Sequence, residues 1–173
     1  MTDCNLLTIR RARCADRDAL HSLQLTSIRQ LVRAYYDDDV IEAFVGQFGT
    51  MSDRLLDEGR FFAATLNNSF VGCGGWSMRN SIQVATIRSV FVHPDFTRRG
   101  IARFLMEMIE ADMRRNGANL ASITTALSGI PFYSAIGYRS SEATTLTLRN
   151  NLQFVGIEMQ KWLTDCGKTA VPG

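Results

Sequence analysis

The stretch VFVHPDFTRRGIARFL, residues 90–105, decides the fold. An apolar run ends in His93-Pro94-Asp95, passes two adjacent arginines and reaches Gly100 directly before a second apolar run. Pro94 cannot donate to a sheet ladder and biases His93 to an extended conformation, so the first run is a strand that stops there. Ile101, Phe104, Leu105, Met108 and Ile109 recur at helical spacing, which predicts an amphipathic helix with that stripe in the core. A strand therefore feeds a short, basic, glycine-containing turn that opens a helix. Such a turn aims several backbone N–H groups and the positive end of the helix dipole at one spot, a cradle for phosphate.

Working outward, LLTIRRARCAD (6–16) alternates as a first strand, and Asp16 is placed to cap a helix carrying Leu20, Leu23, Ile28, Leu31 and Val32. The acidic run Asp37-Asp38-Asp39 precedes Val40, Ile41, Phe44 and Val45, which predicts a second helix with carboxylates at its favourable end. Ser52 to Glu58 predicts a short third helix ended by Gly59. RFFAATLNNSFVGCGGWSM (60–78) reads as two strands joined through Asn67-Asn68, and SIQVATIRSVFVHP (81–94) as a further strand. The helix after Gly100 stops near Asn116-Gly117, NLASITTAL (119–127) is a strand, and GIPFYSAIGY (129–138) a short helix and turn. EATTLTLRN and FVGIEMQKWL close the chain as a strand pair, with Lys168 to Gly173 as a tail. The strand–helix–strand unit around Gly100 implies local parallel pairing, while the hairpins are antiparallel. The expected fold is α/β: a mixed, mostly antiparallel central sheet with helices on both faces, in a single domain over residues 1–173 with its core at about 7–163.

A composition of 46% hydrophobic and 21% charged residues is that of an ordinary globular chain. The net charge of +2 argues against binding nucleic acid through overall charge, so the paired arginines are a local feature. Cys4, Cys14, Cys73 and Cys166 are scattered, with only His21 and His93 to join them, so neither a metal site nor a disulfide framework is expected. No apolar segment approaches the ~20 residues that span a bilayer, and no secretory signal opens the chain. A cytoplasmic protein with reduced thiols is expected.

Three features together resemble the GCN5-related N-acetyltransferase (GNAT) superfamily. SVFVHPDFTRRGIARFL matches its strand–turn–helix signature on Thr97, Gly100 and Ala102, with Thr97 standing where the family usually has Arg or Gln and Ala102 where a second glycine is commoner. GIPFYSAIGY matches its second signature on Phe132, Tyr133, Gly137 and Tyr138. The order of elements fits that fold over about residues 7–163. The resemblance implies acetyl-CoA (coenzyme A) as co-substrate, no metal, and direct acetyl transfer to an amine in a ternary complex.

By that resemblance, backbone amides of Arg98, Arg99, Gly100, Ile101 and Ala102 would hold the pyrophosphate, with charge added by the two arginines. The strand Val90-Phe91-Val92 would bulge away from its neighbour, so that the Val90 amide faces the thioester carbonyl and the Val92 amide the pantetheine. Ser128 falls where many members carry an Asn that touches the cofactor. Tyr133 is the candidate donor of a proton to the leaving thiolate, since its unperturbed pKa of ~10 suits a thiol; packing is the alternative reading of that ring.

Some members carry a Glu on the strand before the bulge. Ala85-Thr86-Ile87-Arg88 has no carboxylate, which leaves the general base to ordered water or to an acceptor-pocket residue. Asp37, Asp38, Asp39 and Glu42 read as a helix cap or as an attractor for a cationic acceptor. Tyr35, Tyr36, Phe48 and Trp76 read as packing or as the acceptor wall. His93 reads as a strand-end residue, and Cys73, in an apolar strand with no base beside it, is no nucleophile.

The expected acceptor is a primary amine of a small molecule, with protein or peptide amines as the alternative. A non-catalytic acyl-CoA-binding or regulatory module is the reading from another class. An exposed edge of the closing strand pair could support a homodimer.

Overall fold

The computed structural model describes residues 6–48, 53–79 and 83–163. Seven strands form one sheet: β1 (Leu7–Arg11), β2 (Phe61–Leu66), β3 (Ser69–Arg79), β4 (Val84–Val92), β5 (Leu120–Ala126), β6 (Arg139–Thr147) and β7 (Gln153–Trp162). Their spatial order is β1-β2-β3-β4-β5-β7-β6. The β4–β5 pair is parallel and the other five pairs are antiparallel. The β2–β3 hairpin turns on Asn67 (φ 49°) and Asn68 (φ 65°), the left-handed pair that matches strand twist. The helices are α1 (Arg17–Leu31), α2 (Asp38–Phe48), α3 (Asp53–Asp57), α4 (Ile101–Arg115) and α5 (Ile130–Ala135). None among the described residues is long and apolar enough to cross a membrane.

Both faces of the sheet are covered, which is why the run FFAA in β2 is apolar without alternation. Phe62 and Ala64 pack with α4 through Ile101, Leu105, Ile109 and Met113. Phe61 and Ala63 pack with Leu20 and Leu23 of α1 and Leu55 and Leu56 of α3. Farther along that second face, Ile28, Val32 and Ile41 join α1 and α2 over Phe91 and Ala126.

Three local expectations change. Phe104 and Met108 are 50% and 39% exposed, not core, while Glu110 and Asp112 of α4 are buried. Each buried carboxylate has partners from far along the chain: Glu110 accepts from Lys161 Nζ at 2.8 Å and Tyr138 Oη at 3.0 Å, and Asp112 from Arg11 at 2.6 Å and Trp76 Nε1 at 2.9 Å. That pairing offsets the desolvation which otherwise keeps carboxylates outside. Asp16 precedes α1, but its side chain does not cap the helix; it is held by Arg10 at 2.7 and 3.0 Å, which lowers its pKa. Leu31 is exposed as well. The acidic run behaves as a helix start, with Asp38 and Asp39 in the first turn of α2. Ser52, the 168–173 tail, Cys4 and Cys166 lie outside the described residues.

Candidate active site

The site begins with a split in the sheet. β4 pairs with β5 over Val84–Thr86 alone, although β5 continues to Ala126 alongside β7. From Ile87 to Val92 the β5-side edge of β4 is therefore open. A bulge accompanies the split: Phe91 pairs with Cys73 and Arg88 with Gly75, so Ser89 and Val90 oppose Gly74 alone. Ser89 takes the left-handed conformation (φ 53°). A Cβ on Gly74 would stand 2.8 Å from Val90 Cγ2 and 3.1 Å from Ile109 Cδ1, which explains the bare backbone opposite the bulge. Beyond it, His93 N donates to Val71 O at 2.9 Å, and the Val92 carbonyl accepts from the Ser27 hydroxyl at 2.9 Å. In an extended residue N–H and C=O point to the same side. With His93 bonded to β3, Val92 thus presents its N–H to the gap.

The turn after β4 is built as an anion cradle. Pro94–Phe96 form a 3-10 turn, closed by the Thr97 hydroxyl on Pro94 O at 3.0 Å. Arg98 (φ 64°) and Gly100 (φ 79°) are both left-handed, flanking an Arg99 that is not. This alternation gathers successive amides on one side, and Gly100 N-caps α4 without a side chain. Among the described residues, the amides of Gly100, Ile101, Ala102 and Arg103 have no acceptor. Arg98, Arg99 and Arg103 are exposed and have no carboxylate partner among those residues; Arg99 lies over the Phe96 ring at 5.0 Å. Three cations at the positive end of a 15-residue helix repel its dipole unless an anion joins them.

The opposite wall comes from the end of β5. Ser128 sits half-buried in the 3-10 turn Leu127–Gly129, which leads into α5. Gly137 (φ 94°) ends α5, and Tyr138 N returns to Tyr133 O at 3.0 Å. That closure stands the Tyr138 ring edge-on to Tyr133, centroids 5.5 Å apart, with Phe132 on another side at 5.0 Å. Tyr133 is 4% exposed, its hydroxyl has no hydrogen-bond partner, and burial pushes its pKa up. The phenol therefore stays protonated and uncommitted. Because β4 and β5 are parallel, their carboxyl ends bring the bulged edge, the cradle, Ser128 and Tyr133 to the same end of the sheet.

A cleft of ≈ 370 Å³ lies beside the β5 end, lined by Arg33, Tyr35, Tyr36, Asp37, Leu127 and Gln153 among others. Tyr36 fixes this wall: its hydroxyl accepts from Leu127 N at 2.9 Å, donates to Val155 O at 2.6 Å, and its ring stacks on Phe154 at 4.4 Å. Of the acidic residues singled out above, Asp38 pairs with Arg33 and Glu42 with Arg29, whereas Asp37 lines the cleft with its carboxylate unpaired. Trp76 takes no part in the cleft; it is fully buried on the α4 side. The side chain of Phe48 lies outside the described residues. Cys73 is buried, and burial pushes its thiol up to about 12, as befits a packing residue. Among the described residues no group of three or more His, Cys, Asp or Glu could hold a metal ion.

Sequence reasoning passed over Ser89, Gly74, Gln24 and Ser27. Glycine inside a strand does signal a bulge, and Gly72, Gly74 and Gly75 carried that signal here.

The sequence model of the acetyltransferase (GNAT) family matches residues 23–138, which include the split, the cradle and Tyr133. The chain belongs to this family. An uncharacterized N-acetyltransferase of Chlorobaculum tepidum is 33% identical over 108 residues, covering 60% of this chain and 67% of its own. The fold is shared with a GCN5-related N-acetyltransferase structure from Rhodopseudomonas palustris (TM-score 0.76, 20% identity, 94% of this chain and 99% of that one). It is shared too with the PaiA N-acetyltransferase of Thermoplasma acidophilum, solved in complex with coenzyme A (TM-score 0.72, 16% identity, 91% and 99%). The strand split, the cradle and the short helix bearing Tyr133 are thus read in a GNAT protein.

Proposed function

We propose that this GNAT protein is an acetyl-CoA-dependent N-acetyltransferase that acetylates a primary amine of a small molecule by direct attack in a ternary complex. One observation carries the reading: four free amides and three unpaired arginines converge at the α4 N-terminus, next to an open strand edge. A pyrophosphate with an extended amide-bearing arm fits both features. The coenzyme A complex of the PaiA neighbour supports that choice.

Bound acetyl-CoA supplies a thioester whose carbonyl carbon takes the amine and whose sulfur leaves as thiolate. The chain's own groups then have these tasks. Amides from Arg98, Arg99, Gly100, Ile101 and Ala102 neutralise the pyrophosphate, and the arginines add charge. The Val92 amide and the Phe91 backbone align the pantetheine along the open edge, with Ser128 at its far wall. The Val90 amide donates to the oxygen that becomes negative as the carbonyl turns tetrahedral; one such donor contributes about 3 kcal/mol. Tyr133 gives its proton to the departing sulfur and is reprotonated from solvent.

The acceptor enters from the cleft beside Tyr35 and Tyr36, whose volume suits a small molecule. Asp37 attracts its ammonium, and the proton leaves to ordered water or to that carboxylate. The described part of β4 offers no other base, having no carboxylate. Thiol release from acetyl-CoA over a broad panel of amines tests the proposal. Turnover that saturates with a small amine supports it; binding of acetyl-CoA with no turnover on any small or peptide amine points to a non-catalytic module instead.

A further inference from the structure

Helix α1 buries two polar residues completely, Gln24 and Ser27, each 0% exposed. Such burial is costly unless the groups are satisfied or put to use. The Ser27 hydroxyl donates to Val92 O at 2.9 Å. Gln24 Nε2 donates to Cys73 Sγ at 3.3 Å, and Cys73 Sγ in turn lies 3.8 Å from Ser89 O, the carbonyl of the bulge residue. Ser27 thus reaches the open edge of β4, and Gln24 reaches the bulge through Cys73. One turn later, Ile28 and Val32 pack in a cluster that includes Phe91 of β4 and Ala126 of β5, so the helix wedges between the separated strands.

We propose that α1 replaces the missing strand partner of β4, with Ser27 and Gln24 as positioning residues that hold the bulged edge open and aim its free amides at the ligand gap. Val92 shows the logic best. Had β5 stayed beside β4, its backbone would have paired both the carbonyl and the amide of Val92. A serine hydroxyl satisfies the carbonyl only and leaves the amide for a ligand. His93 N, in the same peptide as the Val92 carbonyl, is tied to Val71 O, so that peptide is pinned at both ends. Gln24 Oε1 is buried without a partner, which marks the amide as kept for its link to Cys73 and the bulge rather than for a satisfied core.

The inference rests on the acetyl-CoA reading for its function, but its structural half can be tested alone. Two measurements are made on wild type, Ser27→Ala and Leu55→Ala: calorimetric titration with acetyl-CoA, and amide hydrogen exchange of the free proteins. Leu55, 2% exposed on α3, serves as a destabilised control away from the gap. Ser27→Ala is expected to weaken acetyl-CoA binding roughly tenfold and to speed exchange at His93, while Leu55→Ala lowers the melting temperature and leaves the affinity within about twofold. Equal affinity in wild type and Ser27→Ala, or an equal loss in Leu55→Ala, overturns the proposal. If Ser27→Ala does not fold, Ser27→Cys, which keeps the volume with a weaker donor, takes its place under the same criteria. If wild type itself fails to bind acetyl-CoA, the functional reading falls, and exchange at His93 still decides whether α1 holds the strand: unchanged rates in the variant refute it.

Discussion

The bulge can be probed through Gly74, where adding one methyl group meets two different elements. Its Cβ would stand 2.8 Å from Val90 Cγ2, 3.1 Å from Ile109 Cδ1 and 3.3 Å from Val90 Cα, where ordinary contact begins at 3.4 Å. Rotating the Val90 side chain relieves the first contact but not the other two, so either β4 or α4 must move. Overpacking of this kind costs about 1–3 kcal/mol. For a chain of this size 1 kcal/mol shifts the melting temperature by roughly 2–4 °C, so Gly74→Ala should melt roughly 4–8 °C lower for a mid-range penalty. Gly46, in exposed α2 with nothing within 4 Å of its Cβ position, gives the opposite sign. There Ala gains about 0.5–1 kcal/mol from helix propensity. Thermal unfolding followed by circular dichroism compares the two variants, and calorimetry with acetyl-CoA reports the edge that Val90 defines. Gly74→Ala is expected to lose both stability and affinity, and Gly46→Ala neither. Unchanged stability and binding in Gly74→Ala would refute the packing of the bulge described above.

Three further outcomes are expected. Tyr133→Phe should retain the fold and acetyl-CoA affinity, because the hydroxyl has no partner, but lower turnover with an accepted amine by about 10²-fold or more; equal turnover removes Tyr133 as proton donor. Glu110→Ala leaves Lys161 and Tyr138 without their buried partner and should cost about 3–5 kcal/mol in denaturant unfolding; a loss below about 1 kcal/mol contradicts the network. Stability should also fall in alkali: burial raises the pKa values of Cys73, Tyr133 and Tyr138, so above about pH 9–10 the unfolded chain ionises where the native one does not, and the loss grows until the native groups titrate. A melting temperature that rises between pH 8 and 11 would reverse that sign.

Much of this molecule could be read from local chemistry. Pro94 stops β4, Gly100 opens α4 in the left-handed region, and Gly137 closes α5 so that Tyr138 meets Tyr133. Those are short-range effects, and they placed both the cradle and the candidate proton donor. What escaped was long-range. Phe104 and Met108 fit an apolar stripe as well as their neighbours do, and only the arrival of Lys161 and Arg11, 51 and 101 residues away from their respective carboxylates, puts Glu110 and Asp112 inside. Ser89 adopts a positive φ without being glycine, asparagine or aspartate, so nothing local announces it. Gln24 and Ser27 look like ordinary polar helix residues until the sheet splits beneath them. Trp76 and Tyr36 are both aromatic, yet one is core and the other lines the cleft, a distinction set by strand register.

The central claim, that the turn after β4 is a cofactor-phosphate cradle, is tested most directly by calorimetric titration of acetyl-CoA against wild type, Gly100→Ala and Gly100→Glu. Both substitutions strain the left-handed turn (φ 79°), but only the glutamate adds negative charge where the amides converge. The account predicts micromolar or tighter binding by wild type, a partial loss in the folded alanine variant and no measurable binding in the folded glutamate variant. Absence of binding by wild type, or equal affinity in all three, would contradict it.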